Sequence, residues 1–378
     1  MIPQDPQVAI VHDQLTQYGG AEKTLEQLLA LFPTADIFTG YCNPSNISTK
    51  ILGRRIVSGL GGQPVWVQKL VNYLSFLMPF VFESLDLRNY NIIISEGTAW
   101  PKGVITNPEQ LHISYVYTPP RFLYGYRTEG QKRAVWYYKP FLTVIDYVLR
   151  LWDFSAAHRP DFMVSISQEV ANRVHKFYRR DSTVIYPPVE VATTELQNES
   201  SADYYVCISR LAAYKNIDVL IQACNKTNLS LKIAGTGKEE ARLKALAKEN
   251  VTLLGFVTES EKARLLAQCK GFIFPTDHED FGIVTVEALA YGKPVLAHRS
   301  GGQLEIVADG VTGMFFDELT PDALAKTLIA FDKAIDAKTF DPKQAQAAAA
   351  HFSAARFKKE FGEFVNQKWE EKQHARTA

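Results

Sequence analysis

Short apolar runs alternate with helix-patterned stretches along most of this chain, and the alternation occurs twice. In the first half VAIVHD leads through a polar turn, QLTQYGG, into AEKTLEQLLALFP. There Leu25, Leu28, Leu29 and Phe32 recur at helical spacing until Pro33 stops the pattern. Strand-like runs follow at YNIIISEG, LHISYVYTP and DFMVSISQ, the last opening into the helical EVANRVHKFY. The double proline of STVIYPPV, residues 182–189, blocks a helix and fixes an extended path, so it is read as a hinge. After the polar NESSADY the pattern restarts. YYVCISR, SLKIAG, VTLLGFV, GFIFPT and KPVLAHR read as strands between helices such as NIDVLIQACN, EEARLKALAKE, SEKARLLAQC and GIVTVEALAYG. Apolar strands alternating with amphipathic helices predict parallel sheets covered on both faces. The reading is an α/β protein of two doubly wound domains facing a central crevice, residues 1–186 and 187–355, with helical sequence at 356–378. Ligands of such sheets bind beyond the carboxyl ends of the strands, so the strand-to-helix turns are where chemistry is expected.

Length agrees, because 378 residues exceed one ordinary core. Lys plus Arg balance Asp plus Glu at 41 each, which gives no sign of a nucleic-acid binder. Cys42, Cys207, Cys224 and Cys269 form no C-x-x-C pair and read as free thiols of a reducing cytosol. MIPQDPQVAIVHD lacks a basic region followed by a long apolar run, so no signal peptide is expected. Residues 64–85 and 132–152 are rich in apolar and aromatic side chains. The first is too short between Lys69 and Glu83 for a spanning helix and contains Pro79. Both read as helices that lie on a core or on a bilayer surface.

Several turns carry candidate site residues. Gly19 and Gly20 follow a strand and open a helix, which suits either a tight turn or close approach to an anion. The spacing is not that of a dinucleotide fingerprint. Arg210 and Lys215 end another strand and suit a diphosphate. Gly235 and Gly237 flank Thr236 at a third, and Phe256 lies at a fourth, ahead of Thr258 and Glu261, which suit a helix cap. In TDHEDFGIVTVEALAYGKPV, Glu279 lies in a loop and Glu287 on a helix. The amides of Phe281, Gly282, Ile283 and Val284 at the helix start suit phosphate, and Glu287 suits ribose hydroxyls.

Arg210-x4-Lys215 followed by Glu279-x7-Glu287 resembles the family-four retaining glycosyltransferases, and within them most closely the bacterial surface-polysaccharide mannosyltransferases. VHDQLTQYGGAEK, YVYTPPRFLY and FSAARFKKEF resemble the family's glycine loop, acceptor-domain segment and terminal helix. The resemblance implies a GT-B fold, its two Rossmann-like domains facing one crevice and its C-terminal helix crossing back to the N-terminal domain. It also implies transfer of a hexosyl group, mannosyl from GDP-mannose, to a saccharide or lipid-linked acceptor in glycan assembly. Arg210 and Lys215 would hold the leaving diphosphate, Glu279 the sugar and Glu287 the ribose. Gly235, Gly237, Phe256 and the amides of 281–284 would line the donor pocket, and Gly19 and Gly20 would close over the phosphates. No metal or cofactor is implied, and the sequence has no D-x-D. Tyr117 stands where the family often has histidine; with Arg121 and His12 it falls on the acceptor and donor-sugar side. His12, beside Asp13, is a possible substitute base or simply a strand-end histidine. The implied setting is the cytoplasm, at the inner face of the plasma membrane through 64–85 and 132–152. A weak sugar-nucleotide-binding subunit and a nucleotide-sugar epimerase stay open as alternatives.

Overall fold

A computed structural model describes residues 6–64, 66–68, 70, 74–126, 139–190 and 202–377. Parts of the two aromatic segments, residues 65, 69, 71–73 and 132–138, lie outside the described residues. The chain forms two compact units, residues 1–188 with 355–378, and residues 189–354. Each is built on one all-parallel sheet.

The first unit holds β1 (Val8–His12), β2 (Asp36–Thr39), β3 (Ile56–Ser58), β4 (Ile92–Gly97), β5 (Leu111–Val116), β6 (Phe162–Ser165) and β7 (Thr183–Val184). Their order is β3-β2-β1-β4-β5-β6-β7, so the winding reverses between β1 and β4. Every residue of β1 and β5 is buried, as continuous apolar runs require when helices cover both faces. β2 and β3 escape a reading by apolar runs. β3 is three half-buried residues at the sheet edge, and β2 enters through Asp36. The helix Ala354–Thr377 covers part of this sheet: Phe357 and Phe361 are fully buried with their rings 5.7 and 5.6 Å from Tyr115. Each such ring is worth about 1.5–3 kcal/mol of transfer free energy.

Pro79 does not interrupt a helix here. A 3-10 turn, Ser75–Leu77, leads into the helix Met78–Glu83, and Pro79 lies in its first turn, where its missing N–H costs nothing. Met78, Val81 and Phe82 face the core while Phe80 is exposed. The helix Lys139–Ala156 buries Leu149 and Ala156 but exposes Val144, Tyr147, Val148, Leu151 and Phe154 along one stripe. Among the described residues no helix is long and apolar enough to cross a membrane.

The second unit holds β8 (Tyr205–Ile208), β9 (Leu231–Ala234), β10 (Val251–Gly255), β11 (Gly271–Phe274), β12 (Val295–His298) and β13 (Gly313–Phe316). The order β10-β9-β8-β11-β12-β13 reverses between β8 and β11, repeating the plan of the first unit. The core packs β8, β9 and β11 against the helices Ile217–Thr227 and Pro321–Asp336. Thr258 and Glu261 form a capping box at the start of the helix Glu259–Gln268, as their spacing predicts. Cys207, Cys224 and Cys269 are buried free thiols, their pKa values pushed up to about 12 by burial. They are core side chains without reactive character.

Candidate active site

In an open parallel sheet the place where winding reverses leaves a cleft at the strands' carboxyl ends. In the second unit the loops after β8 and β11 flank that place. Lys215 closes the 3-10 turn Ala213–Lys215 and is 7% exposed. Its Nζ lies 2.6 Å from Glu279 Oε2, in the loop after β11. Lys215 is the first of these residues to be fixed by the fold, because Asn216 beside it adopts φ 53° and donates Nδ2 to the Pro275 carbonyl at 3.2 Å. Arg210 lies on the same loop, exposed, with Nη2 donating to the Tyr214 hydroxyl at 3.4 Å. Lys215 and Glu279 therefore meet, while Arg210 reaches outward.

Gly235 and Gly237 have a packing reason. A Cβ on either would collide with the carbonyl oxygen of Ser209 or Leu211, so two neighbouring strand-end loops can touch only through glycine. Phe256, after β10, is 79% exposed.

The loop bearing Glu279 is braced from behind by the turn after β12. Gly302 N donates to Glu279 O at 2.9 Å, His278 N to Ser300 Oγ at 3.0 Å, and Gln303 Nε2 to Phe281 O at 3.0 Å. Gly282, at φ 105°, starts the helix Ile283–Ala290 and brings no capping side chain, so the first-turn amides at Ile283 and Val284 are left for a ligand. Phe281 is buried against Phe352 and contributes backbone rather than ring. Glu287, one turn in, takes Lys262 Nζ at 2.7 Å on Oε1, while its buried Oε2 has no partner among the described residues. Three more buried polar atoms here are equally unmatched: Thr276 Oγ1, Thr285 Oγ1 and Gln303 Oε1. Thr276 lies in the loop after β11, Thr285 and Glu287 on the helix that follows it, and Gln303 at the start of the helix after β12; further such atoms, His112 Nδ1 among them, lie in the first unit. Among the described residues no three His, Cys, Asp or Glu side chains converge as a metal site requires.

Sequence reasoning named Glu279 and Glu287 but not Lys262, Thr276, Thr285 or Gln303. The first could have been sought as the partner a half-buried Glu287 needs. The others are small or neutral polar residues inside apolar runs and give no such signal.

The first unit holds another polar group at its own reversal point. His12 ends β1 and is paired in register with Glu96 of β4. His12 Nδ1 lies 2.9 Å from Glu96 Oε1, and His12 Nε2 lies 3.8 Å from Glu22 Oε1. Tyr117 donates to the other oxygen of Glu96. Gly19 caps the helix Gly20–Leu31 and donates its amide to Glu22 Oε2 at 2.7 Å. Burial alone would strip the proton from His12, but the two carboxylates outweigh it and raise its pKa to about 10. A held imidazolium has no lone pair to offer, so His12 is a fixed cation and not a base. Burial and the neighbouring Glu96 push the Tyr117 hydroxyl well above its usual pKa, which keeps it a neutral donor. Arg121 is half-buried in the turn after β5, with its guanidinium 5.6 Å from the Tyr126 ring centre. Asp13 holds the loop after β4, accepting the amides of Thr98 at 2.6 Å and Trp100 at 3.2 Å.

Two Rossmann-like sheets, each with its polar groups at the carboxyl ends of the strands, make this a GT-B glycosyltransferase fold. The model of the family Glycosyl transferases group 1 matches residues 193–338 of the chain, in line with the glycosyltransferase resemblance read from the sequence. An uncharacterized glycosyltransferase of Methanocaldococcus jannaschii is 28% identical over 178 residues, 46% of this chain and 50% of that protein. A GDP-mannose-dependent alpha-mannosyltransferase of Mycobacterium tuberculosis is 28% identical over 214 residues, 54% of each chain. The chain thus spans about half the length of these curated relatives. Anabaena HepE, solved in complex with UDP-glucose, superposes with a TM-score of 0.67 at 17% identity, covering 95% of this chain and 99% of that one, a likeness of fold.

Proposed function

We propose that this protein is a retaining, metal-independent hexosyltransferase that moves mannose from GDP-mannose to a saccharide or lipid-linked saccharide in polysaccharide assembly. The observation that carries the reading is the Lys215–Glu279 pair at the winding reversal of the second sheet, in the loop that leads into the helix bearing Glu287. Lys215 and Arg210 neutralise the diphosphate. Their attraction grows as charge collects on the leaving group, which lowers the barrier without a divalent cation. Glu279 takes the sugar hydroxyls and Glu287 Oε2 the ribose. The amides of Ile283 and Val284 take phosphate or sugar, and Phe256 and the 235–237 turn border the nucleotide. Gly19, Gly20, Tyr117 and Arg121 serve the donor and acceptor from the first unit. The mannosyl choice is supported by the mannosyltransferase among the relatives; HepE, with UDP-glucose, keeps the uridine donors in the test.

A panel of nucleoside-diphosphate sugars decides it. GDP-mannose is expected to raise the melting temperature most, because a ligand that binds only the folded state stabilises in proportion to its affinity. Transfer to an acceptor must follow. A larger shift with a UDP-sugar would overturn the donor, conversion of donor without acceptor would indicate an epimerase, and binding without turnover a scaffold subunit.

The acceptor reading extends to the membrane. The stripe Val144, Tyr147, Val148, Leu151 and Phe154 is an apolar helix face in contact with solvent, and Lys132, Arg133 and Lys139 precede it in sequence. Such a face with basic neighbours suits the anionic inner surface of the plasma membrane, where a lipid-linked acceptor resides. The protein should float with anionic liposomes, and Val148→Asp with Leu151→Asp should leave it in the soluble fraction at unchanged melting temperature. Wild-type protein that never floats ends this part of the reading.

A further inference from the structure

Glu96 is fully buried at the end of β4, yet no step proposed above uses it. One of its oxygens meets His12, the other accepts Tyr117. Through His12 it reaches Glu22, and Glu22 accepts the amide of Gly19. An unbroken polar chain therefore links the Tyr117 hydroxyl to the turn of Gly19 and Gly20, with Glu96 at its centre. Its members come from β1, β4, the segment after β5 and the helix Gly20–Leu31. Tyr117 donates its hydrogen bond to Glu96, so the phenol oxygen is held in one orientation. The Gly19 amide is held likewise, and neither Gly19 nor Gly20 has a side chain that could fix the turn. A buried carboxylate costs several kcal/mol unless paired, so a packing role alone would be met more cheaply by an apolar residue.

We infer that Glu96 is a positioning residue that sets, from one carboxylate, both the glycine turn and the Tyr117 hydroxyl for the nucleotide-sugar donor. The inference rests on the transferase reading for its substrate but not for its geometry. The groups that face this network are His12 and Glu22, Tyr115 and Tyr117, Thr24, and Arg356 with Glu360 of the C-terminal helix, the last two through Tyr115. His12 stays charged up to about pH 10, so the network is intact across the neutral range.

The test is Glu96→Gln in the full chain, measured in two ways. Amide hydrogen exchange should rise about tenfold or more at residues 19–23 and not across the remaining helices, since only that turn loses its tether. The KM for GDP-mannose should rise between about ten- and a hundredfold with kcat changed less, the penalty of a misplaced binding element. Glu96→Asp should recover part of both, and the alkaline limb of the activity profile should move toward neutral pH in Glu96→Gln. A purely structural role would lower the melting temperature and raise exchange everywhere, without moving that limb. Unchanged exchange at 19–23 with unchanged KM overturns the inference. If wild type transfers no sugar, the transferase reading fails while the exchange result still judges Glu96. Should Glu96→Gln not fold, Glu22→Gln cuts the same chain nearer the turn and is judged by the same two outcomes.

Discussion

The two sheets reverse their winding at corresponding places, and each place holds an ion pair between consecutive halves of the sheet. In the first unit it is His12 with Glu96, whose side chains are 2% and 0% exposed; in the second it is Lys215 with Glu279, at 9% and 18%. The first pair is closed in by Glu22 and Tyr117. The second keeps part of its surface open to solvent. One topological position thus serves two ends. A sealed pair is finished by folding and can only hold other groups in place. A partly exposed pair can exchange partners, which a site for a charged ligand must do.

Changing the open pair should show this most strongly. Lys215→Ala is expected to lower transfer by about 10²–10³-fold, the usual effect of losing one preorganised charge at a developing anion. Circular dichroism and melting should stay close to wild type. Full activity in the purified variant would remove the second unit's pair from the chemistry.

A subtler comparison uses hydroxyls. Thr276→Val removes an unmatched hydroxyl and should leave the ligand-free protein as stable or about 1 kcal/mol more so, while weakening donor binding. Ser95→Ala, in the first unit, removes a hydroxyl 2.8 Å from His112 Nε2 and should cost about 1–3 kcal/mol. Urea melts of both variants check the pair. Equal losses would mean that Thr276 is satisfied after all.

The comparison extends to pH dependence, where the first unit's two buried histidines should show opposite signs. The paired carboxylates raise His12 to about 10, so its stabilising effect is complete below pH 6.5 and is lost as pH rises through 10. Burial lowers His112 to about 3, so its contribution is present above pH 6.5 and is lost as pH falls toward 3. Ring NMR signals should show neither histidine titrating near 6.5; either one doing so would break the distinction.

Much of this was legible in the sequence, for reasons of range. Apolar runs gave the buried strands β1, β4, β5 and β6 and most of the second sheet, and the glycine turn announced the helix at Ile283. β2, β3, β7 and β13 were missed: each is only two to four residues long, and β7 lies in the double-proline segment read as a hinge. Glu279 and Lys215 stood out as charges at strand ends, though their contact spans 64 positions. Glu96 was invisible as a hub, since its meaning depends on His12, 84 residues away, and on a register no local pattern encodes.

The helix Ala354–Thr377 has a consequence for how the protein is made. Phe357 and Phe361 complete the face of β5 that carries Tyr115, so the first unit is finished by residues that leave the ribosome only after the whole of the second unit. The second unit is continuous in sequence and can close before the first is complete, reversing the usual N-to-C order of domain folding. Until then the first sheet carries an uncovered aromatic patch, and a chain interrupted before residue 355 would keep it.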